Sequence, residues 1–203
     1  MHKTVNDIIA KKGRQKISVV TSYDYTMTTL CDQVDILLVG DSAGMVMLGY
    51  ENTAPVTMDQ MCMFTEAVSN GRQNALIVAD LPNKSYENEI DAVSNSERLI
   101  NAGADAVKLE GRLPDVIRAI VKAGIPVMGH LGLLPQTAKK YTVQGKTEAD
   151  AEILFSDAKA LQEAGVFSIV LEMVTSEATK KITETVSVPT IGIGCGQDCD
   201  GQV

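Results

Sequence analysis

The sequence has 203 residues, of which 45% are hydrophobic and 22% charged, and its formal net charge at neutral pH is −8. This length and composition are typical of one globular domain with a sizeable core. The negative charge repels phosphate backbones and anionic lipid, so it argues against nucleic acid and membrane surfaces as partners, although a few basic residues could hold a small anionic substrate.

The N-terminal segment lacks the apolar core of a secretion signal, and no apolar run reaches membrane-spanning length. Four cysteines are present. Cys31 and Cys62 lie in segments of helical character, where a cysteine is most simply a buried thiol. Free thiols without a signal predict a cytoplasmic protein.

Short continuous apolar runs alternate with segments of helical period along the chain. The runs are rich in Val, Ile and Leu, which is typical of parallel strands that are covered on both faces. They predict seven strands, at residues 17–23, 36–40, 75–80, 106–110, 126–130, 167–173 and 189–193. Helical stretches lie between them, including residues 58–69, 115–122 and 149–163, and glycines at 103, 124 and 165 end three helices shortly before a strand.

This alternation is compatible with a doubly wound open sheet or with a closed barrel. The first strand is followed by Tyr23-Asp24-Tyr25 rather than by a glycine-rich phosphate turn, and polar residues end many successive strands, so the pattern favours the barrel. The prediction is a single domain over residues 1–203, an α/β fold of the TIM-type (β/α)8 class. Only seven strands are identifiable, so the barrel is predicted to be incomplete and truncated, with the eighth strand and the C-terminal helices missing. A seven-stranded barrel and an open sheet remain alternatives.

Three consecutive predicted strands end in a carboxylate, at Asp41, Asp80 and Glu110. Adjacent strands lie about 4.8 Å apart, so these side chains can converge at the C-terminal mouth of a barrel. Three like charges at that spacing repel one another unless a cation lies between them, and oxygen ligands favour a hard ion such as Mg²⁺. The alternative is that each acid caps the helix that follows it.

Lys108 and Glu110 share one face of their strand, because side chains alternate. Val107 and Leu109 share the other face and should contact the outer helices, so the charged pair is predicted to face the barrel interior. There Lys108 could bind a substrate carboxylate, or it could form a structural ion pair with Glu110. Ser42 and nearby backbone amides could also hold a carboxylate. Glu172, at the end of the sixth strand, is the candidate general acid or base, with helix capping as its alternative.

His130 ends the fifth predicted strand, where it could contact substrate or serve the structure, and it is not assigned a catalytic role.

Taken together, the motifs at the strand ends resemble one family, the ketopantoate (3-methyl-2-oxobutanoate) hydroxymethyltransferases. The resemblance runs in order along nearly the whole sequence. It rests on Thr21-Ser22-Tyr23-Asp24, Val39-Gly40-Asp41-Ser42, Pro55-Val56-Thr57, Ala79-Asp80-Leu81-Pro82, Lys108-Leu109-Glu110-Gly111, Gly129-His130-Leu131-Gly132-Leu133, Val143-Gln144-Gly145, Leu171-Glu172 and Ile191-Gly192-Ile193-Gly194.

The resemblance implies a (β/α)8 barrel that binds one Mg²⁺ through Asp41, Asp80 and Glu110. It implies that Asp41, Ser42, Asp80 and Lys108 hold a 2-oxo acid and that Glu172 is the proton acceptor. The implied reaction transfers a hydroxymethyl group from 5,10-methylenetetrahydrofolate to 3-methyl-2-oxobutanoate, giving 2-dehydropantoate for pantothenate and coenzyme A synthesis. Family members are homo-oligomers, and they continue beyond position 203.

Two other hypotheses remain. The first is a metal-dependent lyase or mutase of the phosphoenolpyruvate mutase/isocitrate lyase group, which uses related 2-oxo-acid chemistry on the same fold. The lyases carry a Lys-Lys-Cys-Gly-His loop that this sequence lacks. The second is an inactive fragment that acts only in assembly, with an open edge between the first and seventh strands.

Overall fold

The computed structural model describes residues 2–203, in which eight parallel strands form a closed barrel in sequence order. The TIM-type fold class is therefore confirmed. The predicted strands agree with the observed ones to within two residues at each end. The strands are β1 (Ile17–Thr21), β2 (Ile36–Val39), β3 (Leu76–Asp80), β4 (Ala106–Glu110), β5 (Val127–Gly132), β6 (Ser168–Glu172), β7 (Thr190–Ile193) and β8 (Gly201–Gln202).

Helices connect the strands and cover the outside of the barrel. Several begin at a side chain that accepts a backbone N–H of the first turn, as Thr57 and Thr147 do at α4 and α7. The helices are α1 (Val5–Ile9), α2 (Tyr25–Cys31), α3 (Ala43–Val46), α4 (Met58–Gly71), α5 (Glu89–Asn101), α6 (Pro114–Lys122), α7 (Glu148–Ala164) and α8 (Ser176–Thr185).

The count of seven strands, and with it the missing eighth strand, was wrong. Gly201 pairs with Ile17 of β1 and with Ile191 of β7, so β8 closes the barrel. The predicted open edge is therefore absent between β1 and β7. A strand of two residues, Gly201–Gln202, has no apolar run from which a pattern could identify it. Truncation of the domain, including the loss of C-terminal helices, stays a prediction.

The apolar residues form two layers, as expected for a barrel that is packed inside and out. Alternate strand residues fill the interior, among them Val78 and Met128, and Ile8 of α1 packs against this interior cluster. The intervening residues, such as Val107 and Leu109, pack against the helices. This alternation determines which polar side chains point into the barrel.

Three helices are followed by glycines with positive φ, at positions 103, 124 and 165, as the sequence predicted. The four cysteines are free thiols. Cys31 and Cys62 are half-buried rather than fully buried, so the prediction of buried thiols was only partly right. Within residues 2–203, no helix has both the length and the apolar character needed to cross a membrane.

Candidate active site

A cavity of about 280 Å³ opens at the carboxyl ends of the strands. It is the place where catalytic residues of this fold are found. The structure brings all the predicted site residues together in its lining, which includes Asp41, Ser42, Asp80, Lys108, Glu110 and Glu172 as well as His130.

Strand alternation explains this convergence. Ala106 lies in the interior cluster, so Lys108 and Glu110 on the same face of β4 also point inward. Their partners in register are Asp80 of β3 and His130 of β5. The predicted orientation of Lys108 and Glu110 is consistent with this layering.

None of the three carboxylates caps a helix. The residue before α3 is Ser42, the cap of α5 is Asn88 and the residue before α6 is Leu113. The residue before α8 is Thr175 rather than Glu172. The capping alternative is therefore wrong for these acids.

Lys108 forms a buried ion pair with Asp80, and its Nζ lies 2.7 Å from Asp80 Oδ1. The alternative drawn from the sequence, a structural ion pair of Lys108 with Glu110, is therefore wrong about the partner. Burial alone would lower the pKa of Lys108, but the negative charges of Asp80, Glu110 and Asp41 raise it above its ordinary value. Lys108 is therefore a fixed cation at the bottom of the cavity.

When ionised, Asp41 and Glu110 carry negative charge that this one lysine does not neutralise. Burial, together with the charge of Asp80, raises the pKa of Asp41 to about 6. Burial also raises the pKa of Glu110 to about 8, against the opposing effect of Lys108. Such shifts mark a site whose acids are ionised at a cost, which a bound cation would remove.

Glu172 lies at the rim of the cavity beside His130. Its Oε2 is 3.4 Å from His130 Nε2, and its side chain is 16% exposed. Burial lowers the pKa of His130, which favours the neutral ring. The backbone around Glu172 is unusual, because Met173 has φ 47° and a Cβ on the facing Gly132 would lie 2.2 Å from the Glu172 carbonyl oxygen. Positive φ at a non-glycine residue is typical of functional sites.

Ser42 lies on the opposite side of the mouth. Its Oγ is 2.7 Å from the hydroxyl oxygen of Tyr23. If Tyr23 donates this hydrogen bond, the Ser42 hydroxyl proton is left for an anionic ligand. The site therefore offers a hydroxyl and an ammonium group among its carboxylates.

Sequence reasoning missed Gln136 and Tyr86, which join two of the carboxylates. Gln136 Nε2 donates to Asp41 Oδ2 at 2.9 Å, and its backbone N–H donates to Glu110 Oε2 at 3.2 Å. The Tyr86 hydroxyl donates to Gln136 Oε1. A lone glutamine after a strand carries no sequence signal that distinguishes it from a surface residue.

The donor set fits a hard divalent ion, since it consists of carboxylates with a charge deficit. Across residues 2–203, however, no three His, Cys, Asp or Glu side chains are arranged so that they could hold a metal by themselves. Mg²⁺ in enzymes is usually held by one or two carboxylates together with substrate oxygens and water, so such a preformed group is not required.

A closed parallel barrel with charged side chains gathered at its C-terminal mouth defines a barrel enzyme. The family model for ketopantoate hydroxymethyltransferase matches residues 2–203. The chain belongs to this family, and it is a transferase of the hydroxymethyltransferase type.

The sequence is also similar to individual members. The 3-methyl-2-oxobutanoate hydroxymethyltransferase of Nitrosopumilus maritimus is 65% identical over 212 residues, an alignment that covers 100% of this chain and 76% of the relative. The enzyme of the same name from Cenarchaeum symbiosum is 60% identical over 198 residues, covering 95% of this chain and 76% of the relative.

Solved structures of other proteins share the fold. A phosphonopyruvate hydrolase in complex with oxalate and Mg²⁺ has a TM-score of 0.73 at 13% identity, covering 94% of this chain and 72% of that one. A 2,3-dimethylmalate lyase of the phosphoenolpyruvate mutase/isocitrate lyase superfamily has a TM-score of 0.69 at 17% identity, with the same coverage. At these identities the likeness establishes the fold alone.

Proposed function

We propose that this chain transfers a hydroxymethyl group from 5,10-methylenetetrahydrofolate to 3-methyl-2-oxobutanoate in the presence of Mg²⁺, giving 2-dehydropantoate. Membership of the family over residues 2–203 supports the reaction. The single structural observation that carries the proposal is the cavity that brings an ion-paired lysine together with several carboxylates.

Asp41, Asp80 and Glu110 are the proposed ligands of the metal, one or two of them binding it directly and the rest through water. The raised pKa values of Asp41 and Glu110 support this, since a cation is what their uncompensated charge lacks. A bound Mg²⁺ would polarise the keto oxygen of the substrate and stabilise the negative charge that develops there.

Lys108 and Ser42 are the proposed partners of the substrate carboxylate, with Asp41 and Asp80 completing the pocket around it. Lys108 is charged and is held by Asp80 at 2.7 Å, so it presents a positive charge whose position is fixed. Ser42 can donate its hydroxyl proton while it accepts one from Tyr23. Two such donors would orient the 2-oxo acid with C3 toward the rim.

Glu172 is the proposed proton acceptor. It takes the proton from C3, and the electrons left on C3 form the bond to the methylene carbon of the folate. Water supplies the hydroxyl group of the product, both bonds from that carbon to the folate nitrogens break, and tetrahydrofolate leaves with the water proton and the proton taken by Glu172 on those nitrogens. His130 Nε2 lies 3.4 Å from Glu172 Oε2 without a hydrogen bond, and a small rotation of the neutral ring would let its N–H donate to Glu172 and aim the carboxylate at the substrate.

The test is deuterium exchange at C3 of 3-methyl-2-oxobutanoate, followed by proton NMR in D₂O. We expect exchange that requires Mg²⁺ and falls about 100- to 10,000-fold in Glu172→Gln, the range for a lost general base. Glu163→Gln, an exposed position on α7, is the matched control and should exchange at the wild-type rate.

Each failure has a different meaning. Exchange that survives full chelation would remove the metal from the proposal, and exchange that survives Glu172→Gln would remove that residue. A folded chain without any exchange would support the inactive-fragment hypothesis. Cleavage of isocitrate or 2-methylisocitrate without folate would support the lyase hypothesis.

The remaining assignments rest on the family resemblance and on composition. We propose a cytoplasmic homo-oligomer with small-molecule partners, the 2-oxo acid and the folate, and with neither nucleic acid nor membrane as a partner. The net charge of −8 supports the exclusion of anionic polymers and lipids. Size-exclusion chromatography with light scattering tests the oligomer, and a monomeric mass would contradict it.

A further inference from the structure

Gln136 connects three parts of the active-site mouth through one buried side chain. It lies in the loop after β5 and is 6% exposed. Its Nε2 donates to Asp41 Oδ2 at 2.9 Å and to the Leu81 carbonyl oxygen at 3.0 Å. Its backbone N–H donates to Glu110 Oε2 at 3.2 Å. One residue thus supplies a hydrogen bond to each of two carboxylates at the ends of different strands.

The hydrogen-bond partners determine which way the Gln136 amide is turned. Asp41 and Leu81 both present acceptors to Nε2, so a flipped amide would place oxygen against oxygen at two positions. The Tyr86 hydroxyl accepts from the Glu110 N–H at 3.4 Å and therefore directs its own proton to Gln136 Oε1. Tyr86 fixes the amide in the orientation that serves Asp41.

A neutral donor at this position has a consequence that a cationic donor would not have. A lysine or arginine here would neutralise Asp41 and Glu110 and remove their need for a cation. Gln136 stabilises one oxygen of each carboxylate without cancelling its charge, and the second oxygen of each stays outside the Gln136 network. The negative charge therefore remains available to a metal ion.

We propose that Gln136 is a positioning residue that, held by Tyr86, sets the separation and orientation of Asp41 and Glu110 for a divalent cation. Its role in the reaction rests on the proposed function, whereas its effect on metal affinity can be measured without any substrate. Partners that orient metal ligands typically contribute 10- to 100-fold to affinity.

The experiment titrates Mn²⁺ into the substrate-free protein and measures free Mn²⁺ by electron paramagnetic resonance. We expect Gln136→Met to weaken the Mn²⁺ Kd about 10- to 100-fold. Tyr86→Phe, which keeps Gln136 but frees its amide, should weaken the Kd by about 3- to 10-fold. Gln162→Met is the matched control, because Gln162 on α7 also binds backbone through its amide but lies outside the cavity.

The double variant distinguishes positioning from a general structural role. If Tyr86 acts through Gln136, the double variant should bind Mn²⁺ no more weakly than Gln136→Met alone, whereas independent effects would multiply. Circular dichroism and urea unfolding establish that each variant is folded. If Gln136→Met fails to fold, Tyr86→Phe carries the test.

A Kd within twofold of wild type in folded Gln136→Met would overturn the proposal, as would an unchanged Kd in Tyr86→Phe when that variant carries the test. Multiplying effects in the double variant would overturn the role of Tyr86. Undetectable Mn²⁺ binding in the wild-type chain would overturn the role of Gln136 toward a cation. Weak metal binding in Gln136→Met without C3 exchange in the wild type would support the inference while contradicting the proposed function.

Discussion

The two ends of the barrel treat buried carboxylates in opposite ways. At the N-terminal end, Asp35 and Asp200 each come directly before a strand, and each accepts a backbone N–H of the preceding strand, from Ser18 at 3.0 Å and from Thr190 at 2.9 Å. Each also lies within 2.8 Å of a lysine ammonium group. Burial alone would raise the pKa of each acid, but these donors lower it below its ordinary value.

At the C-terminal end, burial raises the pKa of Asp41 to about 6 and of Glu110 to about 8. The residue types and the exposed fractions are similar at both ends, but Asp41 and Glu110 lie deeper in the protein, so burial penalises their charge more. The supply of donors differs as well, because the acids at the mouth share Lys108 and Gln136. The N-terminal acids therefore stabilise the fold, whereas the mouth retains charge that destabilises it until a cation binds.

The largest effect is expected from neutralising a carboxylate at the N-terminal end. Asp200→Asn weakens hydrogen bonds to Thr190 and Gly13 and leaves Lys12 without its counterion, so we expect the free energy of unfolding to fall by about 3 kcal/mol. Urea unfolding at pH 7 measures this. A loss below about 0.5 kcal/mol, the range of a surface substitution, would mean that this aspartate does not secure the start of β8.

At the mouth, neutralising a carboxylate is expected to raise the free energy of unfolding rather than lower it. Glu110→Gln removes a charge that is costly to bury, so the metal-free protein at pH 8 should gain roughly 2 kcal/mol, a discounted value for a shift from an ordinary pKa of 4.5 to about 8. The same variant should lose stabilisation by added Mg²⁺. Glu163→Gln provides the surface control. Destabilisation by Glu110→Gln would contradict the contrast between the two ends.

The pH dependence of the metal-free protein follows from the same shifts. Asp41 and Glu110 have folded pKa values above their unfolded ones, so the folded state binds more protons between about pH 4 and pH 8. Stability should therefore fall as pH rises through this window, by about 1 kcal/mol per pH unit near pH 7. Asp35 and Asp200 act in the other direction, because their lowered pKa values give stability that is lost as the pH falls into the acid range.

Thermal unfolding between pH 5 and pH 8 checks this expectation. Mg²⁺ should flatten the decline, because it favours the ionised carboxylates. The double variant Asp41→Asn/Glu110→Gln should flatten it without metal. A decline that persists unchanged in the double variant would assign it to other groups.

Much of the fold could be predicted because its signals are local. Buried parallel strands read as apolar runs, and strand alternation alone turned Lys108 and Glu110 toward the interior. The eighth strand could not be found in this way, since Gly201 and Gln202 are defined by their pairing with β1 and β7 rather than by their own composition.

The residues of the candidate site likewise fall into those that the sequence could predict and those that it could not. Acids at strand ends could be identified because a charge next to an apolar run is unusual. Gln136 could not, because its importance comes from contacts with Asp41 and Tyr86, which lie 95 and 50 positions away in the chain. Relations between distant segments leave little trace in a single sequence.

The smallest expected effect tests whether burial or distance determines how much an ion pair stabilises the fold. The ion pairs Lys11–Asp35 and Arg118–Asp115 both have an N–O distance of 2.6 Å, but the side chains of the first are 23% and 7% exposed and those of the second 54% and 78%. We expect Lys11→Met to cost about 1 kcal/mol, limited by Lys3, which remains 3.7 Å from Asp35. Arg118→Met should leave the urea midpoint unchanged, because solvent screens an exposed pair. If both substitutions lower the free energy of unfolding equally, distance alone would determine the strength of these pairs. The contrast between the well-supplied Asp35 and the acids at the mouth would then be contradicted.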